Sequence, residues 1–176
     1  MRNPNLSRVL ILGEIDGISS NDLISQIYEI NEYDNYRNIK KREPIRLIIN
    51  SEGGCVYYGL GILDVISLST TPIHTICHGH AMSMGFIIFC AGKQRFISQN
   101  STFMYHEISL GEYSDKLKYF KDEVIETERI QKICDDYILS KTIVPLKKLR
   151  NIKKLKTEWY ITPEEALEYK IVNKIL

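Results

Sequence analysis

The sequence lacks any apolar run long enough to cross a bilayer. Its longest, such as Gly85–Ala91, fall far short of the roughly 20 residues a spanning helix needs. It also has almost no charge imbalance, with 23 Lys and Arg against 22 Asp and Glu and a net charge of +1. No global field therefore recruits nucleic acid or an anionic membrane. Cysteine is sparse: Cys55, Cys77, Cys90 and Cys134 form no CxxC pair and no dense framework. They read as reduced thiols, mostly core filler. Residues 1–20 show no basic start followed by a long apolar run, and Glu14 and Asp16 stand where a signal core would lie. Internal repeats, low-complexity tracts and linkers are absent too. What is present is 176 residues, 44% hydrophobic and 26% charged, ordinary values for one soluble domain with a real core. The expectation is a single cytoplasmic folding unit over residues 1–176.

Short β-rich runs alternate with amphipathic segments, the pattern of an α/β fold. Val9–Leu12 and Ile45–Ile49 read as buried strands, and Ile73–Cys77 as a third after the turn at Pro72. Arg95–Ile97 and Thr102–Tyr105 look like two further short strands around Gln99-Asn100. Ser19, Ser20 and Asn21 offer N-caps for a helix with Leu23, Ile24, Ile27 and Ile30 on one face. Polar and aperiodic, Glu32–Glu43 reads as a surface loop or frayed helix end, and Leu60–Ile66 as a helix. Residues 112–141 form the longest periodic stretch, with Phe120, Val124, Thr127, Ile130, Cys134 and Ile138 as a helical stripe. Pro145 ends or restarts that helix. Thr162-Pro163-Glu164-Glu165 has a capping residue, Pro at the first helical position and acids in the first turn.

Two glycine-bearing elements follow predicted strands, Ser51–Gly54 and Gly79–Gly85. Glycines at strand ends let the chain turn tightly and bring backbone N–H groups close to a ligand. Ser83 stands just before a predicted buried helix, whose first turn presents unsatisfied N–H groups and a positive dipole end. The N–H of the next residue could face a developing oxyanion. A serine hydroxyl needs a base, and His106, at the end of a predicted strand, is a candidate beside His74, His78 and His80. On spacing alone this is a weak signal, because G-x-x-x-S-x-G is not the G-x-S-x-G nucleophile elbow.

Taken together, the blocks Ile48–Gly54, Ile76–Gly85, Phe103–His106 and Ala166–Val172 resemble, in order and spacing, the proteolytic subunit of the Clp protease, ClpP. The resemblance runs from about Arg8 to Leu176. It implies a ClpP/crotonase-like α/β domain of stacked ββα units with a protruding long helix. It further implies a serine endopeptidase that cleaves unfolded polypeptides within an oligomeric ring, such as a double heptamer. Ser83 matches the nucleophile, His106 the base, and the N–H groups of Gly54 and Met84 the oxyanion hole. Substrate would pair with a strand after Gly54, through Gly53, Gly54 and Val56. No cofactor and no nucleic-acid or membrane partner is implied.

Four departures stand out. The family's triad carboxylate is an Asp, and the matching residue here is Glu158, with Asp135 and Asp136 as reserve candidates. Glu52 replaces the Pro of Ser-Pro-Gly-Gly, and Ile108 a Pro common two residues after the histidine. A Clp-type ATPase partner docks in the family partly through a longer leading segment than Met1–Ser7.

Competing expectations remain. A non-catalytic ring subunit would keep the fold without an active serine, and an acyl-CoA enzyme would use the oxyanion hole alone. His78 and His80 form an H-x-H pair, but no third ligand stands at metal-site spacing. Cys55 is either a reactive thiol near the oxyanion hole or a small buried hydrophobe. Lys147–Lys156 carries six basic residues in ten, with Leu149, Ile152 and Leu155 at helical spacing, and reads as an amphipathic surface helix. The Phe120–Ile138 stripe is either core or an oligomer contact.

Overall fold

The computed structural model describes residues 7–109 and 117–176. Seven strands form one sheet: β1 (Val9–Leu12), β2 (Ile45–Ser51), β3 (Ile73–Met82), β4 (Gln94–Ile97), β5 (Thr102–Tyr105), β6 (Trp159–Ile161) and β7 (Lys174–Ile175). The spatial order is β1-β2-β3-β4-β7, all parallel, and the outer half of β3 also carries β5, with β6 antiparallel beyond it. Among the described residues there are six helices: α1 (Gly17–Tyr36), α2 (Val56–Leu68), α3 (Met84–Cys90), α4 (Leu117–Lys141), α5 (Leu146–Leu155) and α6 (Pro163–Glu168). This is the mixed α/β architecture with a parallel sheet expected for the ClpP/crotonase-like fold.

Alternation decides which face of the sheet is covered. Ile45, Leu47 and Ile49 of β2 and Leu10 and Leu12 of β1 are buried, whereas Arg46 and Ile11 point the other way and are exposed. Every residue of α3 is buried, as expected of a helix apolar on all sides. The Phe86 and Phe89 rings pack on Phe103 of β5 with centroids 5.4 and 4.5 Å apart. That contact fixes α3 against the strand that leads to His106.

Three expectations need correction. The cap of α1 is Asp16 rather than Ser19, Ser20 or Asn21: its carboxylate accepts from the N–H of Ile18 and Ser19, while the Ser19 hydroxyl accepts from the Asp16 N–H. Of the two readings of Glu32–Glu43, a surface loop or a frayed helix end, the loop fails for its start, which is the end of helix α1 running through Tyr36. Asp34, on its inner face, is fully buried, pairs with Arg8 and accepts from the Thr71 hydroxyl at 2.7 Å. And β3 does not stop at Cys77. The register slips between Ile49/Cys77 and Ser51/Ala81, and this irregularity carries the strand through Gly79 to Met82. Gly79 has φ +81°, and a Cβ there would lie 2.7 Å from Asn50 Oδ1.

Elsewhere the periodic readings match the elements. The apolar stripe lies on α4, buried at Ile130, Cys134 and Ile138 but exposed at Phe120, and residues 112–116 lie outside the described residues. Pro145 separates α4 from α5, which buries Leu149 and Ile152 and leaves Leu155 exposed. Thr162 caps α6, accepting from the Glu165 N–H. Arg95, expected only as the first residue of a strand, is buried; its guanidinium donates to the carbonyls of Lys141, Lys170 and Ile171 and ties the ends of α4 and α6 together.

Candidate functional site

Ser83 sits at the carboxyl end of β3, between the strand and the first residue of α3. Open α/β sheets place ligands at this kind of position. Its backbone has φ +52° and ψ −125°. Among the described residues three other non-glycine residues have positive φ, and Ser83, with that ψ, is outside the ordinary left-handed well that Lys156 occupies at a helix end. Such a conformation costs about 1–3 kcal/mol and persists only where the surroundings impose it. Here the Ser83 N–H donates to the Met104 carbonyl at 2.8 Å, and the Ser83 carbonyl accepts from Phe86 and Ile87 in the first turn of α3.

His106 follows directly on β5, the strand that pairs with the outer half of β3. The shared ladder Ala81–Phe103 and Met82–Met104 brings its ring to the serine, and Nε2 lies 2.7 Å from Ser83 Oγ. In the neutral tautomer whose ring proton is on Nδ1, Nε2 is the acceptor of this bond.

The Gly53–Gly54 turn lies against this pair. Gly53 has φ +108°, and a Cβ on it would stand 2.8 Å from Ser83 Cβ and 3.3 Å from the Met84 nitrogen. Gly54 has φ +140°, and a Cβ there would overlap the Ile15 carbonyl. Ile15 holds the turn from behind: its N–H donates to Gly53 O at 2.9 Å and its carbonyl accepts from the Cys55 N–H at 2.8 Å. The Ser51 hydroxyl accepts from the Gly53 N–H at 3.1 Å. Gly53 thus brings bare backbone beside Ser83, while Gly54 packs its backbone on Ile15, and both take the positive φ that glycine adopts without strain.

No strand follows Gly54. Helix α2 starts at Val56, so its backbone cannot extend a ladder there, and the expected strand is corrected to the isolated parallel bridge between Ile15 and Gly54. Val56 itself is half-buried against the core.

Glu158 stands just before β6. The register Tyr105–Trp159 and Met104–Tyr160, extended by one step, sets Glu158 opposite His106. Both line one open cleft of about 1030 Å³. The Glu158 side chain is exposed, and its Oε2 accepts from the Tyr160 hydroxyl at 2.7 Å; among the described residues no hydrogen bond joins it to His106. This carboxylate holds the Tyr160 phenol above its ordinary pKa, chiefly through that bond.

The reserve acids divide. Asp136 is exposed and pairs with Lys132, whereas Asp135 is buried and belongs to a network with Tyr105, Gln131 and Lys153 that no sequence signal singled out. Burial, and then the bond to Asp135, push the Tyr105 phenol far above its usual value. His78 turns away to the Ser98 hydroxyl at 2.6 Å, and His80 pairs opposite Thr102; neither hydrogen-bonds Ser83 or His106. Among the described residues no group of three His, Cys, Asp or Glu is placed to hold a metal, and no helix is long and apolar enough to cross a membrane. Cys55, next to the glycine turn, is exposed.

A family model described as Clp protease matches residues 5–176. The chain is 31% identical to the ATP-dependent Clp protease proteolytic subunit 2 of Parasynechococcus marenigrum, covering 96% of this chain and 83% of that one. It is 31% identical to the corresponding subunit 1 of Prochlorococcus marinus, over the same shares. A proteolytic subunit of Deinococcus radiodurans is 27% identical over 96% of this chain and 80% of its own.

Proposed function

Since the chain belongs to the Clp protease family, we propose that it is a serine endopeptidase whose nucleophile is Ser83 and whose general base is His106. The observation that carries this reading is the 2.7 Å approach of Ser83 Oγ to His106 Nε2 at a strained strand-to-helix turn. In the first half-reaction Nε2 takes the Ser83 proton as Oγ forms a bond to the peptide carbonyl carbon. The developing oxyanion is met by the N–H groups of Gly54 and Met84. His106 returns the proton to the departing amine as the C–N bond breaks, leaving an acyl-enzyme. Water, deprotonated by the same imidazole, then releases the acid and restores Ser83.

Glu158 is the acid of this reading, supported by its place opposite His106 in the strand register. To orient the Nδ1–H it must turn an oxygen toward the imidazole; the Tyr160 hydroxyl uses Oε2, and Oε1 is still able to accept. Substrate binds along Gly53 and Gly54, with Val56 contributing side-chain contact at the start of α2 rather than a ladder. The substrate class is unfolded polypeptide, the assembly a homo-oligomeric ring and the compartment the cytoplasm, as the family resemblance suggests. A Clp-type ATPase is the partner class that fits.

The Glu158–Tyr160 bond is the observation that favours the second reading, a ring subunit that assembles with an active one. Fluorophosphonate labelling read by intact mass separates the two. One adduct on wild-type protein, lost in Ser83→Ala, is the expected result. No adduct on folded, oligomeric wild-type protein would overturn the peptidase reading.

A further inference from the structure

The residues on both sides of His106 are tied to α4. Immediately before it, the Tyr105 hydroxyl donates to Asp135 Oδ1 at 2.6 Å. Two residues after it, the Ile108 N–H donates to Gln131 Oε1 at 2.8 Å. The two ties meet, because Gln131 Nε2 donates to Asp135 Oδ1 at 2.8 Å and to the Tyr105 oxygen at 3.2 Å. Tyr105, Gln131 and Asp135 are all buried. A buried carboxylate must be paired, and Lys153 of α5 supplies the charge by bonding Asp135 Oδ2. Burial keeps the Tyr105 phenol protonated, so it remains a donor.

We propose that Asp135, with Gln131, Tyr105 and Lys153, is a positioning centre that fixes the chain around His106 from α4 and α5. It rests on the assignment of His106 as the base, and adds to it. The residues act through His106 and touch no reacting atom. Their function is to hold Nε2, from the buried side, at hydrogen-bond distance from Ser83, while Glu158 lies on the exposed side. A misplacement of about 1 Å in such a geometry costs on the order of a hundredfold in rate.

The test uses the full chain, with Tyr105→Phe and Gln131→Leu removing one tie each. Two quantities are read: the rate of fluorophosphonate labelling at Ser83, and the ring Cε1–H resonance of His106. Only four histidines are present, so His106→Gln assigns that resonance. Each variant is expected to shift the His106 resonance, leave that of His74 in place, and slow labelling roughly tenfold or more. Arg129→Met, which breaks an exposed ion pair with Glu126 on the same helix, away from the cleft that His106 lines, is expected to change neither.

Should Gln131→Leu fail to fold, Tyr105→Phe, which removes a single oxygen, decides the question. A folded variant with the wild-type resonance overturns the proposal, as does a shifted resonance with undiminished labelling. If wild-type protein takes no adduct, the peptidase reading falls and the resonance alone decides the positioning.

Discussion

The Ser83 hydroxyl and the His106 imidazole, 23 residues apart in the chain, meet at 2.7 Å because each lies at the end of one of two neighbouring parallel strands. β3 delivers the serine into a strained turn, and β5 ends one residue before the histidine. The Phe86, Phe89 and Phe103 rings hold the two together from beneath. His106→Ala removes the proton acceptor without touching this packing. Labelling of Ser83 should fall by roughly 10²–10⁴, the usual contribution of a positioned base, with thermal stability unchanged.

Glu158 and Tyr160 make a paired prediction. Glu158→Ala should slow labelling roughly tenfold or more, through loss of imidazole orientation. Tyr160→Phe, which deletes the competing hydroxyl, should leave the rate equal or raise it. A fall in Tyr160→Phe would mean that the phenol supports the carboxylate rather than occupying it.

Gly54→Ala tests the glycine turn. The residue has φ +140°, and a methyl group would overlap the Ile15 carbonyl. Backbone strain alone should cost about 1–3 kcal/mol, and the overlap adds to it. Denaturant titration is expected to show at least that loss, together with abolished labelling.

Asp34 supplies a pH prediction for stability. Burial pushes its carboxyl up, but the Arg8 and Thr71 hydrogen bonds and the Arg8 and Arg42 charges outweigh it, leaving the pKa below the ordinary value. A depressed folded pKa means the contribution is complete above the unfolded carboxylate range, near 3.9, and is lost as pH falls through the folded value. Arg8→Met strands a buried charge and should cost about 3–5 kcal/mol near neutrality, by analogy with broken buried pairs. The deficit should shrink in acid. A constant deficit from pH 7 to pH 3 would count against this account.

The four cysteines should differ sharply in reactivity. Burial raises Cys77 and Cys90 to about 12 and Cys134 to about 11, and all three are inaccessible. Native protein treated with iodoacetamide is expected to carry a single adduct, at Cys55; a second would report local opening.

The sequence by itself determined many of the elements, although β6, which carries Glu158 toward His106, and β7 were not among those expected. Strand and helix periodicity placed β1, β2, β4, β5 and α6 closely, since each pattern follows from one buried face or one cap. The ordered blocks around Gly53, Ser83 and His106 singled out the residues that the fold then brings together. Local signals gave out where a distant partner decides the outcome. Glu32–Glu43 looked like a surface loop or a frayed helix end because polar residues usually face water, yet Arg8 and Thr71 draw Asp34 inside. Gly79 looked like a strand end, yet pairing to β2 and β5 on either side carries β3 through it. Nothing local distinguished Asp135 from Asp136. Only the packing of α4 and α5 around Tyr105 buries one carboxylate beside a lysine and leaves its neighbour in solvent, because burial is a property of the assembled core and not of the chain.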